Sequence, residues 1–131
     1  MPHLTIEYSS AAQQYIDMGD LCRALHAVMV ANPLFPTAGI RIRTYEADHA
    51  IVADGHPDNA FVAMGLRVGA GRSPEQLRAA GDELFAAAQQ LLAQPLSQPH
   101  FALSLDIRVS DPALSWKDTP IHARLSAKET Q

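Results

Sequence analysis

The sequence predicts an α/β (α+β) fold made of two successive βαβ-like units. Three observations carry this expectation: several segments in which apolar residues alternate with period two, two longer segments with a period near 3.6, and their interleaved order. That order reads strand, helix, strand pair, strand, helix, strand. Each unit spans about 50–60 residues, a normal length for a strand–helix–strand crossover.

Leu4, Ile6 and Tyr8 alternate with Thr5 and Glu7, which predicts a strand almost at the chain start. From Asp17 onward, Leu21, Leu25, Val28 and Met29 recur at helical spacing, with Asp17 or Asp20 as the cap. Asn32-Pro33 ends that helix, and Pro33 to Pro36 bracket a loop. Ile40 and Ile42 restore strand character, with a second extended stretch expected around Ile51-Val52. Asp54-Gly55 signals a turn, which Pro57-Asp58-Asn59 extends. Phe61 to Gly69 then reads as a strand.

Ser73-Pro74-Glu75-Gln76 is the clearest helix start in the chain. Ser73 suits the N-cap, Pro74 the first helical position, and Gln76 the reciprocal partner of a capping box. Leu77, Gly81, Leu84, Phe85, Ala88 and Leu92 form the apolar face of that helix, which Pro95 to Pro99 should close. Phe101, Leu103, Leu105 and Ile107 alternate as the last strand. From Asp111 the chain reads as a polar, turn-rich tail, in which Leu114 and Trp116 could pack within the chain or against a neighbour.

Composition narrows the function classes. The 131 residues fit a single domain over 1–131, with a core of about 2–124 and the polar tail. A net charge of −4 and a pI near 5.8 argue against a nucleic-acid partner. One cysteine, Cys22, excludes an intrachain disulfide and reads as a small apolar helix residue. Lacking a membrane-length apolar run or a signal-like start, the chain is expected in the cytoplasm with no membrane partner.

No HExxH pair, nucleophile elbow or phosphate loop occurs. Asp48, His49, Asp54, His56 and Asp58 cluster closely enough to suggest a metal, but turn-forming aspartates in a polar loop explain them better. No metal or cofactor is therefore expected. Two features remain. Pro2 would present a secondary amine if Met1 were removed, and burial or a nearby guanidinium would lower its pKa towards that of a competent general base. Arg41 and Arg43 sit two apart on a strand and share a face, while Arg72 precedes a helix N-terminus that favours anions. Lying outside the helix, Arg72 should be replaceable with folding largely preserved.

Four blocks carry a resemblance: Met1-Pro2-His3, Phe35-Pro36-Thr37-Ala38-Gly39-Ile40-Arg41, Ala53-Asp54-Gly55, and Val68-Gly69-Ala70-Gly71-Arg72-Ser73. Together they look like the 5-carboxymethyl-2-hydroxymuconate isomerase family, in the tautomerase superfamily, over Pro2 to about Arg124. The resemblance implies two βαβ units with helices on one face of a mixed sheet, and a homotrimer with sites near its interfaces. It implies Pro2 as the proton acceptor from a tricarboxylate dienol, yielding a 2-oxo-3-ene isomer in 4-hydroxyphenylacetate breakdown through homoprotocatechuate. Arg41 and Arg72 would hold the substrate, with Arg43 a weaker candidate. A tautomerase of another 2-hydroxydienoate or phenylpyruvate-like enol is the alternative, as is a non-catalytic oligomeric anion-binding protein. Assembly has a second motive: Phe61, Ala63 and Gly65 opposite Val62, Met64 and Leu66 suggest a strand that is apolar on both faces.

Overall fold

A computed structural model of the chain describes residues 1–129. Its elements run β1 (His3–Ser9), α1 (Met18–Ala31), β2 (Arg41–Ala47), β3 (Ala60–Gly69), α2 (Pro74–Leu91), the short α3 (Ala93–Leu96), β4 (Phe101–Ser110) and α4 (Pro120–Glu129). The strands form one sheet in the order β2-β1-β3-β4. β1 pairs with β2 in parallel and β3 with β4 in parallel, while β1 and β3 meet antiparallel. Two βαβ units are thus joined side by side into a mixed sheet.

The alternating pattern sets which face each strand buries. Leu4, Ile6 and Tyr8 of β1 and Val62, Met64, Leu66 and Val68 of β3 are buried together. Leu21, Leu25 and Met29 of α1 and Ala80, Leu84 and Ala88 of α2 close over them. Both helices therefore lie on one face, and the terminal β1 is an interior strand. Each helix starts where its cap predicts: Asp17 accepts from the Asp20 N–H, and Ser73 and Gln76 form the reciprocal box.

Four expectations are corrected. Ile51-Val52 is no strand: Ile51 is exposed, and the Gly55 N–H closes a turn onto the Val52 carbonyl at 2.9 Å. With β2 at the sheet edge, that segment had no buried face to gain. Pro95 does not stop the chain's helical path but sits inside α3, in its first turn, where no N–H is needed. The tail holds α4 rather than turns alone. Finally, the sheet face turned from the helices is not an apolar surface. Phe61 and Ala63 are half-buried there, but Gly65 and Arg67 are exposed beside Thr5, Glu7, Arg43, Asp106 and Arg108. Charge at alternate positions, which periodicity alone cannot weigh against Phe and Ala, makes that face polar.

The capping box yields a stability test. Ser73→Ala should cost about 1 kcal/mol, the usual worth of an N-cap side chain, and lower the urea midpoint without changing the slope. An unchanged midpoint would show that the box carries no stability here.

Candidate active site

Pro2 heads an interior strand, where a residue without an N–H is tolerated at the first position. Its ring is fully buried. The Pro2 carbonyl accepts from the Arg41 N–H at 3.0 Å, which anchors the chain start to β2. Beside it, the turn Thr37–Gly39 brings backbone against the ring. A Cβ at Gly39 would lie 3.1 Å from Pro2 Cδ and 3.2 Å from Met1 Cα, so only glycine fits without displacement. On the other flank, a Cβ at Gly69 would lie 3.5 Å from the Met1 nitrogen.

Met1 borders two clefts. One, of about 420 Å³, is lined by His3, Arg67, Gly69, Leu114, Trp116 and Lys117 among others. The second, of about 350 Å³, is lined by Arg41, Trp116, Lys117, Asp118, Pro120 and Ile121 among others. Trp116 and Lys117 belong to both, so the segment after β4 folds across the chain start. Leu114 and Trp116 remain 71% and 86% exposed, which rules out intrachain burial for either.

The electrostatics disfavour protonation throughout this region. Burial lowers the pKa of the Met1 amine from its ordinary 8.0, and the positive charges of Lys117, Arg72 and Arg67 lower it further. His3 is pushed down to about 4 by burial first, then by Arg67, Arg43 and Arg41. Its Nδ1 lies 3.1 Å from Arg67 Nη2, and as an acceptor it leaves the ring proton on Nε2. Nε2 is buried and has no partner among the described residues. Among the described residues, none of Arg41, Arg43, Arg67, Arg72 and Lys117 pairs with a carboxylate. Cations that outnumber the acids round these clefts and pair with none of them favour an anionic guest.

The expected residues are brought together only in part. Arg41 borders the cleft with Met1; its Nη1 donates to the Ala38 and Ile40 carbonyls, each at 2.9 Å. Arg43 shares its face, as the spacing predicts, but lines a third cleft on the open sheet with Glu7, Arg67, Asp106 and Arg108. Arg72 is half-buried and engaged: Nε and Nη2 donate to the Leu34 carbonyl and Nη1 to that of Gly69. It clasps the loop after α1 to the end of β3, so folding should depend on it more than the sequence reading allowed. His3, Arg67, Trp116 and Lys117 were missed. Arg67 enters because it sits opposite His3 in the β1–β3 register, and Lys117 because the tail returns to the terminus.

The family model described as 5-carboxymethyl-2-hydroxymuconate isomerase matches residues 2–125. A 5-carboxymethyl-2-hydroxymuconate Delta-isomerase from Escherichia coli is 36% identical over 123 residues, covering 94% of this chain and 98% of that one. A crystal structure of a 5-carboxymethyl-2-hydroxymuconate isomerase from Deinococcus radiodurans R1 superposes with a TM-score of 0.88 at 38% identity, over 95% of this chain and 93% of that one. A fused 4-OT symmetric trimer, at 19% identity and a TM-score of 0.51 over 92% of this chain and 98% of that one, shares the fold alone. Among the described residues no helix is long and apolar enough to cross a membrane.

His3 should leave a mark on acid stability. Its folded pKa, about 4, lies below the ordinary 6.5, so between these values the unfolded chain binds the extra proton. Stability from this group is therefore complete above pH 6.5 and falls as the pH drops towards 4. His3→Gln should flatten that part of the profile in urea unfolding at pH 7 and pH 5. Identical pH dependence in both proteins would contradict a neutral, cation-flanked His3.

Proposed function

We propose that this chain, which belongs to the 5-carboxymethyl-2-hydroxymuconate isomerase family, isomerises 5-carboxymethyl-2-hydroxymuconate to its 2-oxo-3-ene form with Pro2 as the base. The observation that carries this reading is the buried Pro2 at the head of an interior strand, at a terminus that burial and Lys117, Arg72 and Arg67 keep short of protons. Removal of Met1 turns the Pro2 amide nitrogen into a secondary amine. A neutral amine near physiological pH is a competent base.

The substrate carries three carboxylates, which suits a cleft with unpaired cations. Pro2 takes the proton of the 2-hydroxyl, and the electron pair moves along the diene so that C2 becomes a ketone. The C2=C3 double bond shifts to C3=C4, the C4=C5 bond opens, and a proton is delivered at C5. Negative charge spreads over the dienolate between these transfers. Arg41 is the candidate for a direct contact, since its Nε and Nη2 have no partner among the described residues. Arg72, already engaged with carbonyls, acts chiefly as a fixed positive charge. Lys117 and Arg67 add carboxylate contacts, and Arg43 lies farther along the open face. Such preorganised charge is the largest single source of stabilisation in many enzymes.

A homotrimer in the cytoplasm belongs to the same proposal. The open sheet face and the exposed Leu114 and Trp116 offer surfaces for neighbours, and the fused 4-OT trimer shares the fold. Dissociation and loss of activity should then coincide, as light scattering and an ultraviolet assay at matched concentrations can check. A fully active monomer would reject it.

Blocking the Pro2 amine should abolish isomerisation, whereas Pro2→Ala, which keeps a primary amine, should slow it. Full activity in a blocked protein would overturn the mechanism. Arg41→Ala should lower kcat/KM roughly ten- to a hundredfold, the usual cost of a charge-assisted bond of about 1.5–3 kcal/mol. Because activity needs the unprotonated amine, and the burial and positive charges that lower the Met1 amine would act on Pro2 in its place, kcat/KM should rise with pH through a lowered amine pKa. Lys117→Ala removes a neighbouring positive charge, so this ascending limb should move to higher pH. A pH–rate profile that leaves the limb in place would remove Lys117 from the site.

A further inference from the structure

The opposite end of β3 from the chain start holds a second group of chemically capable side chains. There the β2–β3 loop supplies His56 and Asp58, and the connection before β4 supplies His100. The backbone beneath them is fixed, because the Ala60 N–H donates to the His100 carbonyl at 2.8 Å and Ala60 pairs with Phe101. The two imidazoles are stacked with centroids 4.3 Å apart and planes 25° apart. The Asp58 carboxylate lies 4.0 Å from His56 Nδ1. One ligand atom from each of the three residues lies within 4.8 Å of the others.

Hydrogen bonding settles which lone pairs are available. Asn59 Nδ2 donates to the Val52 carbonyl at 3.0 Å and to Asp54 Oδ1 at 2.7 Å, so the Asn59 oxygen must face His100. His100 Nδ1 lies 2.9 Å from that oxygen and can only donate to it, which leaves Nε2 with a lone pair. A histidine held by a hydrogen bond on one nitrogen and free on the other is the usual form of a metal ligand. His56 Nδ1 accepts from the Asp58 backbone N–H at 3.1 Å, so its lone pair is engaged there and a metal would take the place of that bond. His100 Nε2 and the Asp58 carboxylate therefore offer lone pairs as they stand, and His56 offers one when a metal replaces the Asp58 N–H on its Nδ1.

We propose that His56, Asp58 and His100 bind one divalent late transition metal of the zinc class, with water completing its coordination. Two imidazoles with one carboxylate suit zinc and its neighbours rather than the oxygen-preferring magnesium or calcium. Zinc–ligand distances of about 2.0–2.2 Å require the ligand atoms to close by roughly 1 Å and the His56 ring to turn out of its stack with His100, a rotation that the exposed His56 side chain is free to make. The metal would clasp two loops, and its place is independent of the isomerase reading. Sequence spacing had grouped His56 and Asp58 with Asp48 and His49; the fold replaces those two by His100.

The full chain, stripped with a chelator, can be titrated with zinc chloride by calorimetry and by competition with a chromophoric chelator, with thermal melts alongside. One zinc per chain and a zinc-dependent rise in Tm are expected. His56→Gln and His100→Gln should each weaken binding at least tenfold and remove the Tm rise, and Asn59→Ala should weaken it about 10- to 100-fold. His26→Gln, an exposed change on α1, should leave both unchanged. No saturable binding, or binding and a Tm rise that survive in both histidine variants, would overturn the site. If His100→Gln fails to fold, the half-exposed His56 decides the matter alone.

Discussion

The structure depends on one pairing: β1, the first segment of the chain, is held between β2 on one side and β3 on the other. An interior strand at a terminus is fixed by hydrogen bonds on both edges, so the residue before it has little freedom. Pro2 inherits that order. Its carbonyl is engaged by β2, its ring lies on Gly39, and the last residue of β3, Gly69, passes beside Met1. A chain start, which usually hangs in solvent and frays, is packed here against the sheet.

The charge pattern follows from this placement. Parallel pairing of β1 with β2 sets His3 opposite Arg41, and antiparallel pairing with β3 sets the same residue opposite Arg67. Arg72 comes from the turn after β3 and Lys117 from the segment beyond β4. Burial and like charge act in the same direction on any basic group at that spot, and both the Met1 amine and His3 are pushed towards their neutral forms. Arg72 does two jobs, since its charge is kept near the terminus by the carbonyls that it clasps. No single element could supply this field; it needs both βαβ units and the tail.

The two ends of the sheet are different environments. The end with Pro2 collects cations without partner acids. The other end collects turns, in which Asp54, Asn59 and His100 form a hydrogen-bonded chain that orders the loops. These ends do not compete, because a strand of ten residues separates them. Loops carry such features more readily than the core, whose apolar residues are committed to packing.

Local sequence determined the elements wherever one signal had no rival. Period-two alternation located β1, β3 and β4, and the side chains of Asp17, Ser73 and Gln76 marked two helix starts, because these depend on neighbours within a turn. Pro2, Arg41 and Arg72 were legible as candidates by chemistry, position and resemblance. The sequence misled at Ile51-Val52, where apolar character without a partner strand gives a turn, and after Asp111, where a polar stretch still forms α4. Only tertiary structure brought Arg67 and Lys117 to the chain start, made the open face polar, and set His100 beside His56. Each of these joins residues far apart in the chain, and strand register and loop return, which no local pattern encodes, decide which of them meet.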